Sequence, residues 1–394
     1  MSEAVLLNKF IPVDKSSAVR AFLFSLLTES EMKIVCSGEL PEDAVSALNC
    51  LKLFGKTVVK TNNGFIVSGK TLKPGSAVFC GNSATMMHIL MGIGIYLGFS
   101  IELTGDKSLM SRNHSDFYEA ADLYHKGEFV ETSLAKESAQ LKSFHIISML
   151  KTGGTIHFKA RTRRNTEDFL SNMGAKIIET TEKIEVAPSE SLHGCRLNLR
   201  KDPSAAFIAA CAAFILGKSF VISDIYLDES RMTPFVLLKN AGYHVTFTKS
   251  GGAFTVSGHP DLSENERDLE ISGTQVAEVI DEIPFMAFMA ARAGKRFSVR
   301  NAEWLRNKET DRITESLKRL SVFFETEEFA DGFAVGAGKP DYQAAVLPHS
   351  QDHRMEMLSA LMASDYGIDF EMNCSYKISF PLFYELLDFL RKNG

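Results

Sequence analysis

Four stretches of the chain repeat one hydrophobic pattern. Each has a helix ending in leucine, a glycine or small residue, a short apolar strand, a turn and a second strand. The first copy runs through Leu51–Gly55, Thr57–Val59 and Gly64–Gly69, and the second through Leu170–Gly174, Lys176–Ile178 and Lys183–Val186. The third runs through Leu238–Gly242, His244–Phe247 and Ala253–Gly258, and a weaker fourth through Leu317–Leu320, Val322–Glu325 and Phe333–Gly336. The glycines suit the position just after a helix, where a positive φ is needed. The paired strands with Asn-Gly, Gly-Gly or Asp-Gly between them read as hairpins. A unit repeated over so much of the chain predicts a repeat-built α/β architecture.

Helices upstream of these units are unusually apolar. Met86–Leu97, Leu141–Leu150, Ala205–Leu216 and Pro284–Ala293 show no clear polar face. A helix apolar all round has to be buried on every side. The expected fold is therefore an inside-out α/β arrangement, with helices within and sheets outside. No Pro/Ser-rich linker divides the chain, so any domain boundary should be a tight hinge.

The polar residues gather where the buried helices begin: Asp14–Arg20, Gly81–Thr85, Ser138–Gln140, Lys201–Ser204, Asp281–Pro284 and Gln351–Arg354. Singly, each reads as a capped helix start with Asp or Ser at the cap. Capping does not explain Lys15, Arg20 and Arg354, which are cations near helix N-termini. The segment Asn301–Arg312 has the same chemistry. It follows an alternating run, Lys295–Arg300, that reads as a strand, and opens an amphipathic helix through Ile313, Leu317 and Leu320. With a start near Thr310, Lys308, Glu309 and Arg312 crowd that helix N-terminus. Converging helix starts with added Lys and Arg suit a multiply charged anion, and the smallest ligand class that fits is a pair of phosphorylated carboxylates.

Composition narrows the function classes. With 394 residues, 45% hydrophobic and 23% charged, two domains of a globular protein are expected. A net charge of -6 argues against a general nucleic-acid binder. The six cysteines form no CxxC pair, which suggests buried free thiols in a reducing compartment. No signal peptide is indicated and the apolar runs are too short to span a bilayer, so a cytoplasmic protein is expected. Asp352 and His353 lack further metal ligands at sensible spacing, and a structural role is expected for His353.

These motifs, in this order, resemble the 3-phosphoshikimate 1-carboxyvinyltransferase (EPSP synthase) family. The resemblance rests on Lys308–Arg312 after Asn301–Arg306, Asp352–Met355, Lys15-Ser16 with Arg20, Gly81–Thr85, Leu103–Asp106 with Arg112, Ser138–Gln140 with Lys142 and Ser143, Asp202–Ser204 and Asp281–Pro284. It implies an enolpyruvyl transferase-like fold of two similar domains. One would be discontinuous, comprising residues 1–13 and 247–394, with residues 14–246 inserted. It also implies transfer of enolpyruvyl from phosphoenolpyruvate to the 5-hydroxyl of shikimate 3-phosphate, with no metal or organic cofactor, by a monomer without nucleic-acid or membrane partners.

The resemblance also assigns roles. Asp281 corresponds to the base or proton-shuttle aspartate, Glu309 to an acid at the methylene carbon, and Lys308 to a positioning cation sharing in proton transfer. Lys15, Arg112, Arg312 and Arg354 correspond to phosphoenolpyruvate contacts, with Lys15 also counted among the catalytic group. Ser16, Arg20, Ser138, the Ala139 backbone and Asp281 correspond to shikimate 3-phosphate contacts, and Gln140 would sit over the substrate ring. Ala84 and Thr85 belong to the binding loop, and Lys377 stands one residue early for a phosphate-contacting lysine.

Several positions depart from the family pattern. The 113–137 segment is short, so one helix–hairpin unit should be reduced. Asn113 follows Arg112 where proline is usual, His88 stands where arginine is common, and Ala205 replaces a frequent second serine. Trp304 occupies a position that is polar in some members. Ala84 replaces the glycine of glyphosate-sensitive members, which implies resistance to that inhibitor. The sister class that acts on UDP-amino sugars carries a loop cysteine, which the loop after Thr104 lacks. A catalytically impaired ligand-binding relative is the other alternative. Nucleic-acid-end processing on a similar fold is disfavoured by the acidic balance and the motif set.

Overall fold

The computed structural model describes residues 4–134, 138–159, 162–226, 228–251, 253–263, 267–338 and 346–393. All four repeated patterns appear, and each proves to be part of a larger strand–helix–hairpin block. The first is Met32–Cys36, helix Glu42–Cys50, Thr57–Thr61 and Gly64–Ser68; the second is Gly154–His157, helix Asn165–Asn172, Ile177–Glu179 and Lys183–Val186. The third is Phe220–Tyr226, helix Thr233–Asn240, Tyr243–Ser250 and Ala253–Leu262; the fourth is Phe297–Val299, helix Arg312–Leu320, Phe324–Phe329 and Gly332–Gly338. In every block the last strand lies between the first two, antiparallel to both.

A fourth strand then joins the outer side of the block's first strand in parallel. These partners are Arg196–Leu199, Val130–Ser133, Val5–Leu6 and Leu269–Ile271. Parallel neighbours need a crossover connection, and the Val130–Ser133 and Leu269–Ile271 crossovers contain the core helices Ala139–Thr152 and Ile283–Arg292. Four four-stranded sheets of one topology establish that the sequence repeat is architectural. The glycines expected after the block helices have the required conformation, with φ of +78° at Gly55, +95° at Gly174 and +99° at Gly242.

The core helices are Lys15–Phe24, Ala84–Leu97, Ala139–Thr152, Pro203–Ile215, Ile283–Arg292 and His353–Tyr366. Each begins at one of the polar starts noted above. Asp14, Ser83, Ser138, Asp202 and Asp352 accept hydrogen bonds from backbone N–H groups of the first turns, as capping residues do. Pro203–Ile215 is buried along its whole length. The sheets keep an outer face, on which Ile178 and Val59 are exposed. The inside-out arrangement is therefore present.

Two compact units result: Met1–Pro12 with Arg200–Gly394, and Val13–Leu199. The division at 199/200 differs from the expected break at 246/247. That expected break would cut strand Tyr243–Ser250, which pairs with Ala253–Leu262 along most of its length. The third block also shares its sheet with the N-terminal strand Val5–Leu6, which binds residues 200–246 to the discontinuous unit. The shortened 113–137 segment has the expected consequence. Among the described residues between the first and second blocks, the place of a third four-stranded sheet in the Val13–Leu199 unit is taken by a two-stranded parallel sheet, Val78–Phe79 with Leu103–Thr104, beside short helices Lys107–Met110 and Ser115–Asp122. Among the described residues no helix is long and apolar enough to cross a membrane.

The Pro203–Ile215 helix is lined with small residues (Ala205, Ala206, Ala209, Ala210, Ala212 and Ala213), all buried, so its neighbours close in against the backbone. A longer side chain has no room there. Ala210→Leu is expected to destabilise the protein by about 1–3 kcal/mol through overpacking. Urea denaturation would test this: an unchanged midpoint would show that the helix is less tightly enclosed.

Candidate functional site

In the discontinuous unit, three segments meet around one aspartate. Asp281 lies just before the Ile283–Arg292 helix, Lys308–Arg312 lies at the start of the fourth block's helix, and Arg354 sits in the first turn of His353–Tyr366. Asp281 Oδ1 is 3.4 Å from Lys308 Nζ and 3.2 Å from Arg312 Nη1, and Oδ2 is 3.9 Å from Arg354 Nη2. The fourth helix begins at Arg312 rather than Thr310, because Asp311 caps it by accepting from the N–H groups of Ile313 and Thr314. Arg306 is spent on structure: it pairs with Asp311 and Glu328 at 2.8 Å each.

Arg312 is the hub. Its buried guanidinium donates to Asp352 Oδ2 at 2.8 Å from Nε, to Glu309 Oε2 at 2.5 Å from Nη2, and to Asp281 from Nη1. Burial works against its charge, but Asp352, Glu309 and Asp281 outweigh that and raise its pKa above the ordinary arginine value. Burial likewise works against ionisation of Asp352. Arg312 prevails, over an opposing contribution from Glu309, and holds the carboxyl below the usual aspartate value. Asp352 also accepts from Thr310 Oγ1 and from the Arg354 N–H, so one buried carboxylate aligns two of the candidate arginines. Arg354 Nη1 is buried without a hydrogen-bond partner among the described residues. A buried guanidinium donor without a partner suits an anionic ligand.

In the inserted unit the candidate residues fall into smaller groups. Arg20 is buried and donates to Thr166 Oγ1 at 2.8 Å, Ser16 Oγ at 2.6 Å and Ser143 Oγ at 3.0 Å. The wall behind it is held by a buried pair, Lys142 with Glu167 at 2.5 Å. Lys15, the first residue of its helix, pairs with Asp43 at 3.2 Å. Ser138 caps the helix on which Ala139 and Gln140 stand, and Gln140 Nε2 donates to Thr85 Oγ1 at 3.2 Å. Ala84 and Thr85 open the Ala84–Leu97 helix. Arg112 donates to Asn82 Oδ1, which is anchored in turn by Asp106, while its buried Nε has no hydrogen-bond partner among the described residues.

Not every candidate is drawn in. Lys377 is exposed on the short 3-10 helix Cys374–Ile378, and among the described residues no ion pair ties it to Asp281, Glu309 or Asp352. Trp304 is 40% exposed in the turn before Lys308. Several supporting residues were not singled out from sequence. Asp43 and Thr166 contact candidate residues from outside the motifs, Asn82 lies within Gly81–Thr85 but had no role of its own there, and His114 contacts His88. The Arg231 guanidinium beside Asp202 and Ser204 was also missed, and Ser204 itself donates to Glu282. Distant partners of this kind leave no spacing signal.

A family model described as EPSP synthase (3-phosphoshikimate 1-carboxyvinyltransferase) matches residues 10–387. A protein of Campylobacter fetus subsp. fetus named 3-phosphoshikimate 1-carboxyvinyltransferase is 30% identical over 410 residues, covering 97% of this chain and 94% of its own. One of the same name from Thermodesulfovibrio yellowstonii is 29% identical, covering 97% and 96%. The solved EPSP synthase of Acinetobacter baumannii superposes with a TM-score of 0.75 at 25% identity, over 98% of this chain and 96% of that one.

Proposed function

The chain belongs to the EPSP synthase family, and on that premise we propose that it moves the enolpyruvyl group of phosphoenolpyruvate to the 5-hydroxyl of shikimate 3-phosphate through the residues described above. The observation that carries the assignment of residues is the meeting of Lys308, Arg312 and Arg354 around Asp281. A carboxylate among three cations can act as a base while the cations hold the phosphate and carboxylate of the donor.

In this scheme Asp281 removes the proton of the 5-hydroxyl, and the oxygen attacks C2 of phosphoenolpyruvate. A proton added at the C3 methylene completes a tetrahedral intermediate. Loss of a proton from that methyl group then breaks the bond from C2 to the phosphate oxygen and releases phosphate. Glu309 is the proposed acid at C3, with Lys308 close by. Since Glu309 is paired with Arg312, this role requires the ligand's anionic oxygens to draw Arg312 away from it. Lys15, Arg112, Arg312 and Arg354 take the donor's charges, with Lys377 as a further phosphate contact. Ser16, Arg20, Ser138, the Ala139 backbone and Gln140 take the acceptor. Arg112 Nε and Arg354 Nη1, buried without a hydrogen-bond partner among the described residues, support the use of both arginines.

The test is phosphate release on mixing both substrates with the purified protein. Binding of either ligand without release would leave only the ligand-binding alternative. Ala84, at the first position of its helix and next to Thr85, also carries the expectation of glyphosate resistance. Ala84→Gly should lower the inhibition constant measured against phosphoenolpyruvate by tenfold or more, on the order of one crowded methyl group. Equal inhibition of both proteins would remove that role.

A further inference from the structure

Gln140 is held by a relay of side chains that ends on the backbone. Its amide spans two partners: Nε2 is 3.2 Å from Thr85 Oγ1, and Oε1 is 2.8 Å from His88 Nδ1. The other side of the His88 ring, Nε2, lies 2.9 Å from His114 Nδ1, and His114 Nε2 lies 2.9 Å from the Leu109 carbonyl oxygen. Both histidines are buried, and Phe117 stacks on His88 at 3.4 Å with a 10° tilt. The rings are therefore enclosed, with each nitrogen committed to a named partner.

The chain of donors and acceptors has one fixed end. A carbonyl oxygen only accepts, so His114 Nε2 carries a hydrogen. With the Gln140 oxygen facing His88, His88 Nδ1 must carry one too. A neutral His88 then has none for Nε2, so His114 has to donate from Nδ1 as well, and its ring is the imidazolium. His88 is poorly suited to hold the charge itself: burial, with His114 and Arg112 adding to it against the Gln140 bond, pushes its pKa down to about 3. If His114 is neutral, every bond reverses. His114 Nδ1 accepts, His88 donates from Nε2, and His88 Nδ1 must accept. Gln140 then turns its NH2 group to His88 and its oxygen to the Thr85 hydroxyl, which becomes the donor.

We propose that His88 and His114 are positioning residues for the substrate site, and that one proton on the pair decides which end of the Gln140 amide faces Thr85 and whether the Thr85 hydroxyl is free to donate to substrate. This inference rests on the proposed function, in which Gln140 touches substrate, and on the place of Thr85 in the binding loop beside it. In the protonated state Thr85 Oγ1 accepts from Gln140 and its own hydrogen is available to an anionic oxygen. In the neutral state that hydrogen is taken by Gln140. An anionic ligand therefore selects the protonated state, and binding takes up a proton. The charges acting on His88 are those of His114 and Arg112. The Ser115–Asp122 helix presents Phe117 to it and the Ala139–Thr152 helix presents uncharged Gln140.

Nitrogen-15 spectra of histidine-labelled protein read the ring states without any assay of activity. The expected result is that the His88–His114 pair takes up one proton as pH falls, and that His88 moves its hydrogen from Nε2 to Nδ1 in the same transition. Adding phosphoenolpyruvate and shikimate 3-phosphate should raise the midpoint of that transition. A His88 that keeps one tautomer at every pH at which the protein stays folded would overturn the relay, whether or not the protein turns over substrate. Kinetics supply the second arm. His114→Asn can still donate and accept but has no ring proton to gain, so the KM for phosphoenolpyruvate should lose the part of its pH dependence that the pair sets and keep the part set by the ligand's own phosphate. His88→Leu should raise that KM more than it lowers kcat, and His88→Gln should restore it in part. An unaltered pH profile of KM in folded His114→Asn would refute the positioning role. A wild type that releases no phosphate would refute the proposed function instead and leave the spectra to decide the relay.

Discussion

Asp281→Asn is expected to lower kcat for phosphate release by about 10²–10⁴-fold while the protein still folds and binds shikimate 3-phosphate. The amide keeps the size of the carboxylate and can still accept a hydrogen bond from Lys308 or Arg312, both within 3.4 Å of the present carboxylate oxygen. It cannot take a proton from a hydroxyl. The loss should therefore fall on kcat more than on KM, as for a group that acts in the transition state. Glu309→Gln is the companion variant. If Glu309 supplies the proton at C3, its loss should be similar in size, and solvent-isotope incorporation at C3 should fall with it. The two carboxylates act on different protons of one addition step, so the double variant should lose far less than the product of the two separate losses. Asp281→Asn retaining more than a tenth of the wild-type kcat would sink the base assignment.

Much of the architecture could be read from the chain because it repeats. Helix, glycine and hairpin recur as local signals, and each of the four copies lies in a sheet of the same order. The buried helices were legible for a related reason, since segments such as Pro203–Ile215 have no polar face to turn to water. The unit boundary was not legible. Val5–Leu6 pairs with Phe220–Tyr226 across more than two hundred residues, and neither segment carries a mark of its partner. The boundary that the family resemblance implied falls inside the Tyr243–Ser250 strand.

The candidate site divides along the same line. Lys308, Arg312 and Arg354 stood out because a cation at a helix start opposes the usual capping preference, whereas Asp281 read as an ordinary cap until the family resemblance gave it a role. The meeting of these segments around Asp281 and Asp352 is a tertiary fact. Asp352 was legible as a cap, and it is one, through the Arg354 N–H. Its second function, as the buried counter-charge of Arg312, depends on a residue forty positions away. The same holds for His88, which drew attention only as a departure from a pattern. Its bonds to Gln140 and His114 appear only when three segments are brought together.

Arg312→Met is expected to cost about 3–5 kcal/mol of stability at neutral pH, because it leaves the fully buried Asp352 without its counter-charge. Methionine fills much of the same space, so the cost reports the charge more than a cavity. The pH dependence separates the two. In the wild type, Asp352 is held below its unfolded value by Arg312, so its contribution to stability is present above the ordinary aspartate range. That contribution is lost as pH falls through the depressed folded value. Without Arg312, burial dominates and the folded value rises above the ordinary one. The ionised form then destabilises the variant, and acidification relieves it. The difference between wild type and variant, followed by urea denaturation, should therefore be largest at neutral pH and shrink towards the ordinary aspartate value. Adding Asp352→Asn should restore part of the loss at neutral pH, since the variant no longer buries an unpaired charge. A stability difference that stays constant with pH and is unaltered by Asp352→Asn would mean that Arg312 is held for its packing, and that the ion pair with Asp352 does not set the position of the site's arginines.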